Sequence, residues 1–202
     1  MRQVGTIVRL QVQQLDLKAP PLPGERWERY VPAGLRPLSR CTLDEGGVTG
    51  WSEEGERILD MHHRDHPRSK YRGENGICIA FTAGYRVMRA RFGEHVTDGL
   101  AGENILVRSD SLPLPADVAG GIFIETDEGD VMPLRDVVVA EPCVTFTRHV
   151  MRYPPALRSD ERVKEAIQSL RAGVRGYYAA HVGAPIVIRA GAAVFLTVLP
   201  EG

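Results

Sequence analysis

Phe92-Gly93-Glu94-His95-Val96-Thr97-Asp98-Gly99-Leu100-Ala101-Gly102-Glu103-Asn104-Ile105 runs from the end of a helical pattern into a short apolar segment. It holds three glycines and four side chains suited to a polar ligand, Glu94, His95, Glu103 and Asn104. Glycine permits backbone conformations and close approaches that a Cβ would block. Loops held by a rigid scaffold carry binding residues more often than their share of the chain. Taken alone, the stretch reads equally as a solvated helix-to-strand connection. Its neighbours in the chain decide between the two.

On the N-terminal side, Ile77–Phe81 reads as a short buried strand and Thr82 as a cap for the helix after it. Tyr85, Met88 and Phe92 recur at helical spacing, with Arg86, Arg89 and Arg91 mostly off that stripe. The stripe reads as core, and Gly93 sits where a helix-ending glycine belongs. On the C-terminal side Ile105–Val107 reads as a strand. At the start of the chain Val4–Gln13 alternates, with Thr6, Val8, Leu10 and Val12 on one face and Ile7, Arg9 and Gln11 on the other. From about 16 to 57 the pattern dissolves into a long irregular Pro/Gly-rich insertion. Pro20, Pro21, Pro23, Pro32 and Pro37 exclude a regular helix, and Gly46-Gly47 and Gly50 leave room for one short strand around Val48.

Two polar clusters follow. In Asp60-Met61-His62-His63-Arg64-Asp65-His66, His62 and His66 are four apart and would share a helix face, a geometry that chelates a divalent metal, with Asp60 and Asp65 able to add oxygens. Pro67 favours instead a polar turn. Arg68, Lys70 and Arg72 then place three cations within five residues ahead of Gly73, a composition suited to an anion as well as to solvent.

Further on, Ile122–Glu125 and Val131–Leu134 flank a turn-rich Thr126–Asp130, a hairpin. Val137–Ala140 reads as a buried strand leading into Glu141-Pro142-Cys143. Proline at a strand exit turns the following residue away from the ladder, so Cys143 can face a cavity, whereas Cys78, inside an apolar run, reads as a small buried side chain. Asp160 caps a helix over Glu161–Ala172, with Val163, Ile167 and Leu170 on one face and Gly173 closing it. Two strands, Ile186–Ile188 and Ala193–Val198, end the chain as a hairpin through Ala190-Gly191.

The chain has 202 residues, 43% hydrophobic and 25% charged, and Lys+Arg 25 nearly balance Asp+Glu 26. That balance gives no dominating basic surface for nucleic acid. No apolar run reaches the ~20 residues of a membrane span, and the N-terminus enters strand-like sequence with no signal-peptide core. Three widely spaced cysteines without a CxxC argue against a disulfide framework or structural zinc and for a reducing, cytoplasmic setting.

Taken in order, the first strand after Gly5, the Phe92–Leu100 loop, Gly102-Glu103-Asn104-Ile105, Glu141-Pro142-Cys143, the helix with Gly173-Val174-Arg175-Gly176-Tyr177, and the closing hairpin resemble a MOSC domain, the module named for the C-terminal part of molybdenum cofactor sulfurases. The resemblance covers most of the chain and is strongest from about 92 to 198. Trp51, in Gly47-Val48-Thr49-Gly50-Trp51, stands where the family often has Asp, and Ala192 follows Gly191 where it often has Asp.

The resemblance implies a β-rich fold (all-β or α+β), a single MOSC-type β-barrel core with a few peripheral helices. It implies a molybdenum–pterin cofactor (molybdopterin), with Cys143 matching the thiolate that ligates molybdenum, Glu103 and Asn104 matching the loop beside the cofactor, and Arg175 matching a position near its phosphate. Arg72 and Lys70 are further phosphate candidates, and His95 a neighbour of the cofactor. The implied activity is an oxidoreductase that reduces N-oxygenated or N-hydroxylated small molecules. With no nicotinamide fingerprint or iron–sulfur cysteine set, electrons would come from a separate ferredoxin- or flavoprotein-type donor. The alternative is a non-enzymatic carrier in which Cys143 holds a persulfide or passes on the cofactor. A third reading places a divalent metal at His62 and His66. Oligomeric state is open on all three.

Overall fold

A computed structural model describes residues 1–52 and 54–197. In chain order the elements are β1 (Arg2–Gln13), β2 (Lys18–Ala19), β3 (Arg29–Tyr30), β4 (Leu35–Leu38), β5 (Arg40–Asp44), β6 (Gly47–Trp51), β7 (Arg57–Leu59), β8 (Ile77–Phe81), α1 (Thr82–Phe92), β9 (Ile105–Arg108), α2 (Pro115–Val118), β10 (Ile122–Glu125), β11 (Val131–Val139), α3 (Val144–Val150), α4 (Glu161–Ser169), β12 (Tyr177–Ala180), β13 (Ile186–Arg189) and β14 (Ala193–Leu196). Seven strands close a barrel in the order β14-β10-β11-β12-β8-β9-β1, with β1 pairing back onto β14. The fold is therefore β-rich, a barrel with a few helices on its outside.

β8 and β9 pair in parallel. Parallel neighbours need a crossover rather than a hairpin. Helix α1 supplies the outward leg and Gly93–Asn104 the return leg, so the glycine-rich loop is the return path of a β-α-β unit. Gly93 ends α1 at φ 105°, its N–H bonded to the Arg89 carbonyl. Phe81, not Thr82, occupies the N-cap position. The Thr82 hydroxyl instead accepts from the Ser109 N–H at 3.0 Å, tying α1 to the end of β9.

β1 is long enough to serve three partners, β14 over residues 2–6, β9 over 6–10 and β4 over 10–13. A register shift between Ile7 and Arg9 breaks the strict alternation expected from the sequence. An extra residue in one strand of a ladder exchanges its faces. Ile7, Leu10 and Val12 accordingly share the barrel core, while Val8 packs outside against the helices.

A second core lies between the barrel wall and the helices. It joins Tyr85 and Met88 of α1, Val96 and Leu100 of the loop, Phe146 and Val150 of α3, and Leu170 after α4. Buried side chains of this size each contribute about 1.5–3 kcal/mol. The loop is therefore built into the structure through its own apolar residues.

Other expectations change. The segment from 16 to 57 is not a long irregular insertion: it contributes β2 to β6 and the start of β7, of which β5, β6 and β7 form a small sheet with β13 in the order β13-β5-β6-β7. Pro20, Pro21, Pro23 and Pro32 lie outside its strands, and Pro37 is on the edge strand β4, where a missing N–H costs no ladder bond. The last two strands are not a hairpin: β13 pairs with β5, and β14 with β1 and β10. Val198 lies outside the described residues. Val137–Val139 continues β11 past a bend at Asp136 (φ 53°), and Val138 is exposed rather than buried. Among the described residues no helix is long and apolar enough to cross a membrane.

Gly5 marks the tightest closure of the barrel. A Cβ there would overlap the Arg108 carbonyl and come within 2.8 Å of Val107 Cγ1. The Arg108 carbonyl is backbone of the adjacent strand and cannot rotate away. Gly5→Ala is expected to cost about 3 kcal/mol or more, measured by urea denaturation. A loss below 1 kcal/mol would show that β1 and β9 separate freely here.

Candidate functional site

One cavity of about 490 Å³ opens at the end of the barrel where β1, β8 and β12 meet the N-terminus of α3. Cys143, Arg175, Arg72, Lys70, Cys78 and His62 line it, and they come from five separate parts of the chain.

Cys143 is the N-cap residue of α3 and is partly exposed. Its Sγ accepts from the Phe146 N–H at 3.4 Å, and its carbonyl accepts from the Thr147 hydroxyl at 2.9 Å. The sequence places Cys143 just beyond a strand. The structure adds that a short helix, not legible in the sequence, begins at the next residue and fixes it. The other cysteines behave differently. Burial pushes the Cys78 thiol up to about 12, and burial together with the charge of Asp60 does the same for Cys41. Both remain neutral thiols, so Cys143 is the accessible sulfur.

Arg175 lies between α4 and β12. It donates from Nη2 to the Ala101 carbonyl at 3.0 Å and from Nη1 to the Tyr178 hydroxyl at 3.4 Å. Its Nε is buried without a hydrogen-bond partner. Burial opposes its charge, but the ionisable Tyr178, Cys78, Cys143 and Tyr30 around it outweigh that and hold it above the ordinary arginine value. A guanidinium fixed at two nitrogens with a third left over is suited to an anionic group. Lys70 is paired with Asp16. Arg72 has no ion-pair partner among the described residues, and its backbone N–H is held by Asn75 Oδ1 at 2.7 Å. Lys18, from β2, is a fourth cation in the lining, set against the carboxylates of Asp16 and Glu141. The balance in the cavity is positive although the chain as a whole is nearly neutral.

The loop expected to wall the site does so through its backbone. Ala101 and Gly102 line the cavity. Gly102 holds φ 81°, and a Cβ on it would press on Leu17 Cδ1 at 2.7 Å. Glu103 and Asn104, expected beside the cofactor, are 1% and 3% exposed and lie behind the wall. Asn104 is fully used in the structure: Oδ1 accepts from the Cys78 N–H at 2.9 Å, and Nδ2 donates to Asp60 Oδ2 at 2.8 Å and to the Gln11 carbonyl at 3.3 Å. Glu103 Oε2 accepts from the Tyr85 hydroxyl at 2.9 Å, while Oε1 has no partner. Burial pushes its carboxyl up to about 7, with backbone and Tyr85 hydrogen bonds and the charges of Arg175 and Arg9 limiting the rise.

His95 does not reach this cavity. It lines a second one, of about 580 Å³, on the other side of Tyr30, and its Nε2 is 2.8 Å from the Val150 carbonyl. The histidine cluster also comes apart. Residues 61–68 form turns rather than a helix, so no helix face brings His62 and His66 together. His62 lines the main cavity, whereas His66 borders a separate shallow depression and its Nδ1 accepts from the Arg68 N–H. Among the described residues no group of three or more His, Cys, Asp or Glu is arranged to hold a metal ion.

Lys18 and Tyr30 were not signalled by the sequence, because each sits in a segment without periodicity or motif, and Tyr178 was passed over although it directly follows Gly173–Tyr177. Asp60 carried one usable signal, an aspartate two residues ahead of a histidine, a spacing at which the carboxylate can bond both the backbone and the ring of the latter.

No family model matches the chain, and no curated protein matches it. Among solved structures it is similar to the YuaD protein from Bacillus subtilis, at 13% identity over 96% of both chains with a TM-score of 0.59. It is also similar to a hypothetical protein, at 13% identity over 99% of this chain and 71% of that one with a TM-score of 0.52. At such identities the likeness concerns the fold.

Proposed function

We propose that this chain binds a molybdenum–pterin cofactor in the Cys143 cavity and, supplied with electrons by a separate donor protein, reduces N-oxygenated or N-hydroxylated small molecules. One observation carries the reading: an accessible thiol and a cluster of cations, distant in sequence, converge on one cavity. The lining fits such a group. Its volume is within the range of small-molecule and cofactor sites. Cys143 is a soft sulfur donor of the kind thiophilic metals select. The unpartnered Arg175 Nε and the unpaired Arg72 suit a phosphate, and Lys70 adds charge at the rim. When bound, the cofactor supplies the two-electron chemistry, and the protein's part is orientation and charge. Arg175, anchored to Ala101, fixes the angle at which an anionic group enters. Tyr30 and Ala101 close the apolar side of the cavity.

The carrier reading also rests on an observation, that Cys143 is the accessible sulfur of the three cysteines. A single experiment separates the reductase from the persulfide form of the carrier. Protein expressed where molybdenum cofactor is made should hold close to one molybdenum atom per chain by elemental analysis. Cys143→Ser should lose most of it, and Arg175→Met should lose at least about tenfold in retention, the effect of an anchoring charged hydrogen bond. Wild-type protein without molybdenum, but with a persulfide mass shift on Cys143, would replace the reductase by the carrier.

A further inference from the structure

We propose that His62 is the proton donor of this cavity and that Asp60 positions it for that role. The proposal rests on the reductase reading above and adds to it the residue that completes the reaction. The carboxylate of Asp60 is fully buried, and three of the four contacts it makes, from Gln13, Asn104 and His62, are with N–H donors. Oδ2 accepts from the Gln13 N–H at 2.6 Å and from Asn104 Nδ2 at 2.8 Å. Oδ1 accepts from the His62 N–H at 2.8 Å and faces His62 Nδ1 at 3.1 Å. The first three partners are obligate donors: two are backbone N–H groups, and the amide of Asn104 is oriented by its Oδ1, which accepts from Cys78. A carboxylate oxygen among such donors is a hydrogen-bond acceptor, and it accepts a hydrogen bond from Nδ1–H. His62 is then fixed as the Nδ1–H tautomer, and its Nε2 is the nitrogen that takes up and releases a proton.

The ring is well held. Backbone and side chain of His62 bind the same oxygen, and Asp60 is tied through Asn104 to β8 and through Gln13 to β1. The His62 side chain retains 24% exposure and lines the cavity that also holds Cys143 and Arg175. Neither neighbour in sequence shares this arrangement. His63 is 1% exposed, with Nε2 facing Asp44 and Nδ1 accepting from the Asp65 N–H, so both its nitrogens are occupied. His66 faces another depression.

The chemistry needs such a group. Reducing an N-hydroxylated compound breaks the N–O bond, consumes two electrons and two protons, and releases the amine or amidine and water. The electrons come from the donor protein. The leaving oxygen needs a proton as it departs. Protonated Nε2 gives one, water supplies the other, and Nε2 is reprotonated from solvent through the open side of the cavity. Positioned acid catalysis of this kind contributes roughly 10²–10⁴-fold.

The first readout needs no cofactor. Long-range ¹H–¹⁵N correlation spectra of the unloaded protein should show neutral His62 protonated at Nδ1, with Nε2 bare. The opposite tautomer overturns the positioning by Asp60. The second uses cofactor-loaded protein, reduced viologen dye as electron source and an N-hydroxylated amidine as substrate. His62→Ala should retain the wild-type molybdenum content and a KM within about threefold while kcat falls roughly 100-fold, and added imidazole should restore at least about a tenth of it. Wild-type turnover with His62→Ala unimpaired, or impaired without imidazole rescue, overturns the proton role while leaving the reductase reading intact. Loaded wild-type protein that turns over no N-hydroxylated substrate overturns both.

Discussion

Replacing Asp60 with alanine is expected to destabilise the protein by about 3–5 kcal/mol, the range for removing one side of a buried, multiply bonded charge. The carboxylate is completely buried and accepts from Gln13, His62 and Asn104. Truncation leaves the Gln13 N–H, the His62 N–H and one of the two Asn104 amide hydrogens without acceptors at once, the other still donating to the Gln11 carbonyl. Each lies near the end of a strand or in a turn, where no carbonyl can move in as a substitute. Water from the cavity recovers part of the loss, which is why the figure is not higher. At the cost per degree usual for a chain of this length, the midpoint of thermal unfolding falls by roughly 10 °C. Asp60→Asn keeps the volume and one acceptor oxygen but turns an NH2 toward a donor, and should cost about 2 kcal/mol. Urea denaturation of the three proteins tests the ranking. If both variants stay within 0.5 kcal/mol of wild type, in the range of an ordinary surface substitution, Asp60 does not hold β1, the Asn104 turn and the His62 turn together.

The second large effect concerns pH. Glu103 has an ordinary value of 4.5 and is pushed up to about 7 in the folded protein, first by burial. Below 4.5 both folded and unfolded chains carry its proton, and it contributes no difference. Between 4.5 and 7 the unfolded chain has released a proton that the folded chain still binds, so stability falls as pH rises. Above 7 the full cost of the buried charge is present, on the order of 3 kcal/mol. Glu103→Gln cannot ionise. Gln can still accept from the Tyr85 hydroxyl, and Oε1 has no partner to lose. The stability of Glu103→Gln relative to wild type should therefore rise by on the order of 3 kcal/mol between pH 4.5 and pH 8 and then level off. Taking the difference between the two proteins cancels every other titrating group. Parallel stability curves would show that Glu103 ionises as an exposed carboxylate does and that the loop behind the cavity wall is open to water.

These two residues also show where sequence reading reaches and where it stops. Glu103-Asn104 stood out because a polar pair beside a glycine reads as a ligand-facing loop. The same polarity serves the interior. Asn104 supplies three neighbouring segments, β1, β8 and the Asp60 turn, with hydrogen bonds that strand pairing alone leaves unmade, and Glu103 holds Tyr85 beneath the loop. Side-chain polarity does not distinguish a ligand from the protein's own backbone as the partner, since both ask for the same donors and acceptors. His95 failed for a related reason: it is on the expected loop but faces the opposite side of Tyr30. Arg72, Lys70, Arg175 and Cys143 do share one cavity; the cue was a cation cluster near glycine for Arg72 and Lys70, a cysteine just past a strand for Cys143, and the family resemblance for Arg175.

Local sequence determined most of the strands, α1 and the start of α4, because alternation, helical spacing, Asp160 and Gly93 act within a few residues of themselves, whereas α4 ends at Ser169, short of the Gly173 expected to close it. It also set the Phe92–Ile105 stretch as a turn-rich connection between helix and strand. It could not determine that β8 and β9 lie parallel, that β1 shifts register at Val8, or that β13 leaves β14 for β5, since these depend on partners up to about 150 residues away. Nor could it show that Asp60 belongs with Asn104 and His62. That grouping exists because barrel closure brings the end of β1, the turn after β7 and the return leg of the β8–β9 crossover to one point, where a buried carboxylate satisfies donors that no nearer residue could reach.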